Sequence, residues 1–194
     1  MIKIGITGGI GSGKSVVATL LQLFGIPVYT ADDESKRLTN QSPIIRKGLI
    51  SLFGDEIYTG ETLNKPLLAS KIFHNTELRQ QVNDIIHPEV KRDFFEWAER
   101  QTSKACAIES AILFESGFDK TVDIRLMVYA PEETRIQRAL HRDNSTREAI
   151  VNRIHSQLPD EAKCDRCDYV IYNDDRQPLI PQVAEFVQYI NVRK

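Results

Sequence analysis

Gly8-Gly9-Ile10-Gly11-Ser12-Gly13-Lys14-Ser15 stands a few residues into the chain and fits G-x-x-x-x-G-K-[ST] at every constrained position. Glycines in that pattern let successive backbone N–H groups turn inward around phosphate oxygens. The lysine reaches the outer phosphates, and the serine hydroxyl is placed to ligate Mg²⁺. The flanks agree with this reading: Ile2 to Ile6 is a short apolar strand and Val16 to Phe24 an apolar helix. Phosphate would then sit at a helix N-terminus, where the dipole favours negative charge. A glycine-rich turn that binds nothing would not need strand, lysine, serine and helix together. The sequence therefore predicts ATP or another nucleoside triphosphate held by Gly9, Ile10, Gly11, Ser12, Gly13, Lys14, Ser15 and Val16, with Lys14 also serving the chemistry and Ser15 the Mg²⁺.

Outward from the loop, apolar β-type runs recur at Ile26 to Tyr29, Ala105 to Glu109, Ile124 to Tyr129 and Tyr169 to Tyr172, with helical patterns between them. Such alternation predicts an α/β fold, a parallel sheet sandwiched by helices. The closing helix carries its apolar stripe at Leu179, Val183, Phe186, Val187 and Ile190. About seventy residues separate the second and third strands, whereas a simple crossover needs little more than about a dozen, so this connection holds an insertion. It reads as helical, with stripes at Leu49, Leu52 and Phe53, at Leu67, Leu68 and Phe73, and at Leu78, Val82, Ile85 and Ile86, most of them core. Pro88, after His87, is expected to open a last helix carrying Val90, Phe94 and Trp97. The chain is thus expected to be one domain over 1–194. Segments 1–39, 101–134 and 166–194 form the nucleotide-binding core, 40–100 an acceptor-binding insertion and 135–165 a lid.

With 194 residues, 41% of them hydrophobic, the chain can bury one substantial core. A net charge of −2 gives no overall attraction to nucleic acid or anionic membrane, so neither is an expected partner and any anion site must be built locally. The first strand begins without a basic and apolar leader, and no apolar run approaches membrane-spanning length, from which a cytoplasmic protein is expected. Cys106 falls in an apolar strand, and Cys164 with Cys167 forms a lone C-x-x-C without the further ligands a zinc site needs.

Three places offer chemistry. Asp32, after the second strand in Ala31-Asp32-Asp33-Glu34, could accept the proton of an attacking hydroxyl. Thr30 with Asp33 equally resembles a helix capping box. Glu109 ends the third strand beside the loop, where contact with Mg²⁺ or with acceptor-binding groups is open to it, as is simple capping. The stretch after the fourth strand carries Arg135, Arg138, Arg142, Arg147 and Arg153 against Asp143 and Glu148. Arginine forks match phosphate oxygens, and Arg142, then Arg138, are the expected ATP contacts. A regulatory GTPase is excluded: no glycine has an aspartate three positions earlier, and Asn64-Lys65-Pro66-Leu67 lacks the aspartate of Asn-Lys-x-Asp. A nucleic-acid motor would want more chain and more basic surface. A small-molecule kinase remains, with a nucleoside monophosphate kinase or an ATP-binding switch as the alternatives.

The ordered set of motifs resembles the dephospho-coenzyme A kinase family along nearly the whole chain. Besides the loop, it comprises Ala31-Asp32, Phe53-Gly54, Leu63-Asn64-Lys65 before Ile72-Phe73, His87-Pro88 and Leu113-Phe114-Glu115. It continues with Arg138, Arg142-Asp143, Arg153 with Gln157, and Asp168-Tyr169-Val170-Ile171 before Asn173. The resemblance implies ATP-dependent phosphorylation of the ribose 3′-hydroxyl of dephospho-coenzyme A, the last step of coenzyme A synthesis, with Mg²⁺. It also implies a P-loop kinase three-layer sandwich with a five-stranded parallel sheet in the order 2-3-1-4-5, a helical acceptor-binding insertion and an arginine-bearing lid. Asp32 matches the family's catalytic aspartate, and Asp32, His87 and Glu109 fall where the acceptor is bound; a monomer is favoured. Thr30 stands where an aspartate is frequent in the family, and Glu109-Ser110-Ala111-Ile112 where Asp-x-Pro-Leu is usual.

Overall fold

A computed structural model of the chain describes residues 1–73, 75–143 and 145–192. The chain divides into two compact units, Met1–Thr30 with Gln101–Lys194, and Ala31–Arg100. In chain order the elements up to the second unit's end are β1 (Ile2–Thr7), α1 (Lys14–Leu23), β2 (Val28–Thr30), α2 (Ala31–Gln41), α3 (Pro43–Phe53), β3 (Tyr58–Thr59), β4 (Thr62–Leu63), α4 (Lys65–Ile72) and α5 (Thr76–Glu99). The remainder are β5 (Ala105–Glu109), β6 (Ile124–Tyr129), α6 (Glu132–Arg142), α7 (Arg147–His155), α8 (Asp160–Cys164), β7 (Tyr169–Tyr172) and α9 (Leu179–Val192).

The first unit is built on a five-stranded sheet in the order β2-β5-β1-β6-β7, parallel at every pairing. Counted among the sheet's own strands this is 2-3-1-4-5, as expected; the labels run higher because a small hairpin, β3 with β4, intervenes. Ile4, Ile6, Ala107, Ile108, Leu126 and Val128 have no exposed surface. Strands covered on both faces have no polar side to show, so they read as continuous apolar runs rather than alternating ones. Val17, Ala18 and Leu21 of α1 and Val183, Phe186 and Ile190 of α9 pack against the sheet in one cluster. Truncating Phe186 to alanine there would cost about 3–5 kcal/mol. A separate cluster of Ile136, Ala139, Ile150 and Ile154 fastens α6 to α7, and Ile10 of the loop packs against it.

The second unit has its own core in α2, α3 and α5. Leu38, Ile45, Leu49, Val90 and Phe94 are buried. Ser42 caps α3 by accepting from Ile45 N–H, and its hydroxyl donates to the buried Glu89 of α5 at 2.9 Å. Three readings of the sequence are corrected. α5 does not restart at Pro88 but runs 24 residues through it. A helix-interior proline costs about 3 kcal/mol in isolation, and the burial of Val82, Val90, Phe94 and Ala98 on one helix offsets that. The apolar residues of α4 are not core: none of its residues is buried, and Phe73 after it is exposed. β2 starts at Val28 rather than Ile26 because Pro27 has no N–H, although its carbonyl still accepts from Ala107 N–H at 2.8 Å.

Candidate active site

The central strand β1 delivers the chain into Gly8 to Gly13, and α1 begins at Lys14. Ser12 N–H donates to Gly9 O at 3.1 Å, closing the turn, and Lys14 Nζ donates to the same carbonyl at 3.1 Å. No side chain caps α1 and no acid stands in its first turn, so its N-terminus keeps the positive end of the dipole. Gly13 adopts φ 91°, and a Cβ there would lie 2.2 Å from Asn173 Nδ2. That amide donates to Ser12 O at 2.8 Å, clamping the loop from the far end of the chain. Gly11, at φ 79°, runs so close to Arg135 that a Cβ would meet its carbonyl oxygen at 2.3 Å. Both positions require glycine for conformation and for space.

Among the expected arginines, Arg138 reaches Asp175 at 2.7 Å and Asn173 Oδ1 at 3.5 Å, and its Nη1 is buried with no hydrogen-bond partner among the described residues. It is therefore one residue removed from the loop clamp. Arg142, at the end of α6, pairs with Asp143 at 2.9 Å, which Arg153 also reaches at 3.0 Å; these two guanidiniums hold the Asp143 carboxyl below its usual range. Arg147 pairs with Glu133 at the surface, joining α7 to α6. Glu109 ends β5 in register with Ile6 of β1 and Thr30 of β2, at the carboxyl edge from which the loop springs.

Buried charged groups, of which the sequence reading named only Arg135, lie beside the loop. Arg135 is buried, donates from Nε to Ala130 O at 3.1 Å, and sets Nη2 2.8 Å from Asp160 Oδ2 of α8. Lys163, fully buried, donates to Ala111 O at 3.0 Å just past β5. Nothing in the local pattern marked Asp160 and Lys163, because charged residues on a short helix ordinarily face water. A cleft of about 360 Å³ opens beside them, lined in part by Tyr129, Arg135, Ile154, Gln157 and Asp160. Cys164 ends α8 and Cys167 follows it, where burial, reinforced by the neighbouring Cys164, pushes the Cys167 thiol up to about 12.

Asp32 and His87 belong to the second unit. Asp32 lies in the first turn of α2 with Asp33 and Glu34. Asp33 is engaged by Lys36 at 2.7 Å, whereas no hydrogen bond or ion pair among the described residues engages Asp32. His87 sits within α5, where burial lowers its imidazole pKa against the opposing pull of Asp84.

A parallel sheet of this order, with the phosphate loop between its central strand and an uncapped helix, defines the P-loop kinase class of phosphotransferases. The family model for dephospho-CoA kinase matches residues 2–178. The chain belongs to the dephospho-CoA kinase family. It is 51% identical to the dephospho-CoA kinase of Bacteroides fragilis over 190 residues, covering 97% of this chain and 93% of that one. A crystal structure from Thermus thermophilus superposes with a TM-score of 0.84 at 32% identity, covering 99% and 97% of the two chains. The dephospho-CoA kinase from Campylobacter jejuni shares the fold at TM-score 0.70 and 21% identity, covering 97% and 96%. The protein is accordingly an ATP-dependent transferase that phosphorylates dephospho-CoA in coenzyme A synthesis.

Proposed function

We propose that the ribose 3′-hydroxyl of dephospho-CoA is the group phosphorylated, with Asp32 as its general base. The 3′ oxygen forms a bond to the γ-phosphorus as the bond to the β–γ bridging oxygen breaks; ADP leaves, and the hydroxyl proton passes to Asp32. The backbone from Gly9 to Val16 cradles the phosphates, Lys14 and Arg142 offset charge developing on them, and Arg138 binds ATP with its buried, unpartnered Nη1. Support for Asp32 comes from its place in the chain. It follows the end of β2 by two residues, which keeps its Cα within about 7 Å of that of Thr30, whereas Asp33, one residue further on, makes an exposed pair with Lys36. Glu109 and His87 are proposed to hold the acceptor, residues 40–100 to form its binding region and 135–165 to act as the lid.

Mg²⁺ fits the donor set. Ser15 supplies a hydroxyl in the first turn of α1, and among the described residues no cluster of three or more His, Cys, Asp or Glu gathers. One or two protein oxygens plus phosphate oxygens and water is the coordination this ion favours. When bound, it would neutralise charge on the phosphate oxygens. A cytoplasmic setting and a monomeric state belong to this reading; no described helix is long and apolar enough to cross a membrane.

The observation that carries the reading is the loop itself, closed on Gly9 O and opening onto an uncapped helix. In a coupled ADP-release assay with Mg²⁺ and ATP, dephospho-CoA should give a far higher kcat/KM than AMP or shikimate, and the product should carry its new phosphate on the 3′ oxygen. A better acceptor among the alternatives, or phosphate at another position, would overturn it.

A further inference from the structure

We infer that Arg135 and Asp160 are positioning residues that hold the phosphate loop in its ATP-binding shape, an inference that rests on ATP occupying that loop. The guanidinium joins three segments: Nε donates to Ala130 O at the end of β6, Nη1 donates to Ile10 O at 3.5 Å, and Nη2 faces Asp160 at 2.8 Å. Asp160 Oδ2 lies outside hydrogen-bond alignment with any donor among the described residues, so this last contact is Coulombic. The loop is moulded onto the pair. A Cβ on Gly9 would stand 2.2 Å from Arg135 Nη1 and 3.0 Å from Asp160 Oδ1, and Gly11 abuts the Arg135 main chain.

The placement has a physical purpose. An anion cradle works only when amides converge on it and carbonyls turn away. A carbonyl drawn to a buried cation behind the loop cannot swing into the anion site, so Arg135 keeps Ile10 O outward. A buried guanidinium without a counter-ion is costly, and it would be free to turn towards bound phosphate; Asp160 removes both problems. Burial raises the Asp160 carboxyl pKa, opposed by Arg135, then Lys163, with Lys14 also contributing, which sets the carboxylate in the field of the loop lysine. From the same short helix, one turn on, Lys163 grips Ala111 O and lies 3.5 Å from Glu115, whose Oε1 accepts from Leu158 N–H at 2.8 Å. One segment thus braces the loop after β1 and the loop after β5.

The test uses the full chain and Mg·ATP. Calorimetric ATP affinity, kcat, KM for each substrate and Tm are measured for wild type, Asp160→Asn, Arg135→Lys and the double variant. Asp168→Asn is the control, since it breaks another arginine–aspartate pair, the more exposed and hydrogen-bonded one with Arg125 at 2.9 Å, before β7 at the opposite edge of the sheet. Positioning predicts that each single variant raises the ATP Kd on the order of tenfold, that the double variant adds little further, and that KM for dephospho-CoA stays within about twofold. Asp168→Asn should lower Tm while leaving the ATP Kd within about twofold. Unchanged or tighter ATP binding in variants whose Tm has fallen would reduce the pair to fold stability and overturn the inference. If Asp160→Asn does not fold, Asp160→Glu, which keeps the charge and shifts it by one methylene, is read by the same criteria together with Arg135→Lys. Wild-type protein that binds no ATP would instead overturn the assignment of the site itself.

Discussion

Two adjacent aspartates in one helical turn have been given different work by their neighbours. Asp33 makes an exposed pair with Lys36, while Asp32 keeps its carboxylate without an ion-pair or hydrogen-bond partner among the described residues. Asparagine is nearly isosteric with aspartate but takes no proton. Asp32→Asn should therefore lower kcat on the order of 10² to 10⁴, with Tm and ATP affinity nearly kept, and Asp33→Asn should cost much less. Steady-state kinetics of both variants at saturating substrates decide it. A larger kcat loss at Asp33, or a Tm loss without a kcat loss at Asp32, would exchange their roles.

Helices α6 and α7 carry the arginines, and their pairings sort them. Arg147 and Glu133 form an exposed pair of the kind that water and salt largely screen, so Arg147→Ala should leave kcat/KM for ATP within a few-fold. Arg142→Ala should lower the same quantity on the order of a hundredfold, with lysine a partial substitute, because Asp143 is a surface partner that a phosphate can replace. Equal kinetics in the two alanine variants would return Arg142 to the surface. The elements themselves were unevenly legible. The sheet strands declared themselves because double burial leaves apolar runs such as Leu126 to Tyr129, whereas β3 and β4, two residues each, are too short to have a period. α5 was misread at Pro88 because a local rule for breaking helices was outweighed by packing that only the folded chain provides. Arg135 was seen only as one of five arginines, and Asp160 and Lys163 not at all: a charge that is buried with its partner looks, in sequence, like a charge in water.

At the scale of the molecule, a chain of net charge −2 meets a highly anionic substrate through one locally built site. Binding there draws on the folded state alone, so ATP should stabilise the whole protein by mass action. At about 100 times its Kd the gain is about 2.7 kcal/mol, which for a chain of this size corresponds to roughly 5–10 °C in Tm. A thermal-shift titration with Mg·ATP measures it, and a Tm that ignores ATP at millimolar concentration would contradict the site.

The clamp between Ser12 and Asn173 spans 161 positions of sequence. On a ribosome adding about 5–20 residues per second, the nucleotide loop emerges roughly 8 to 32 s before the amide that completes it. Its neighbours β5, β6 and Arg135 also arrive after it, so the loop is made well before the contacts that shape it. Loop and clamp are parted in time as well as in sequence, and a loop shape that depends on this clamp waits for Asn173 to emerge.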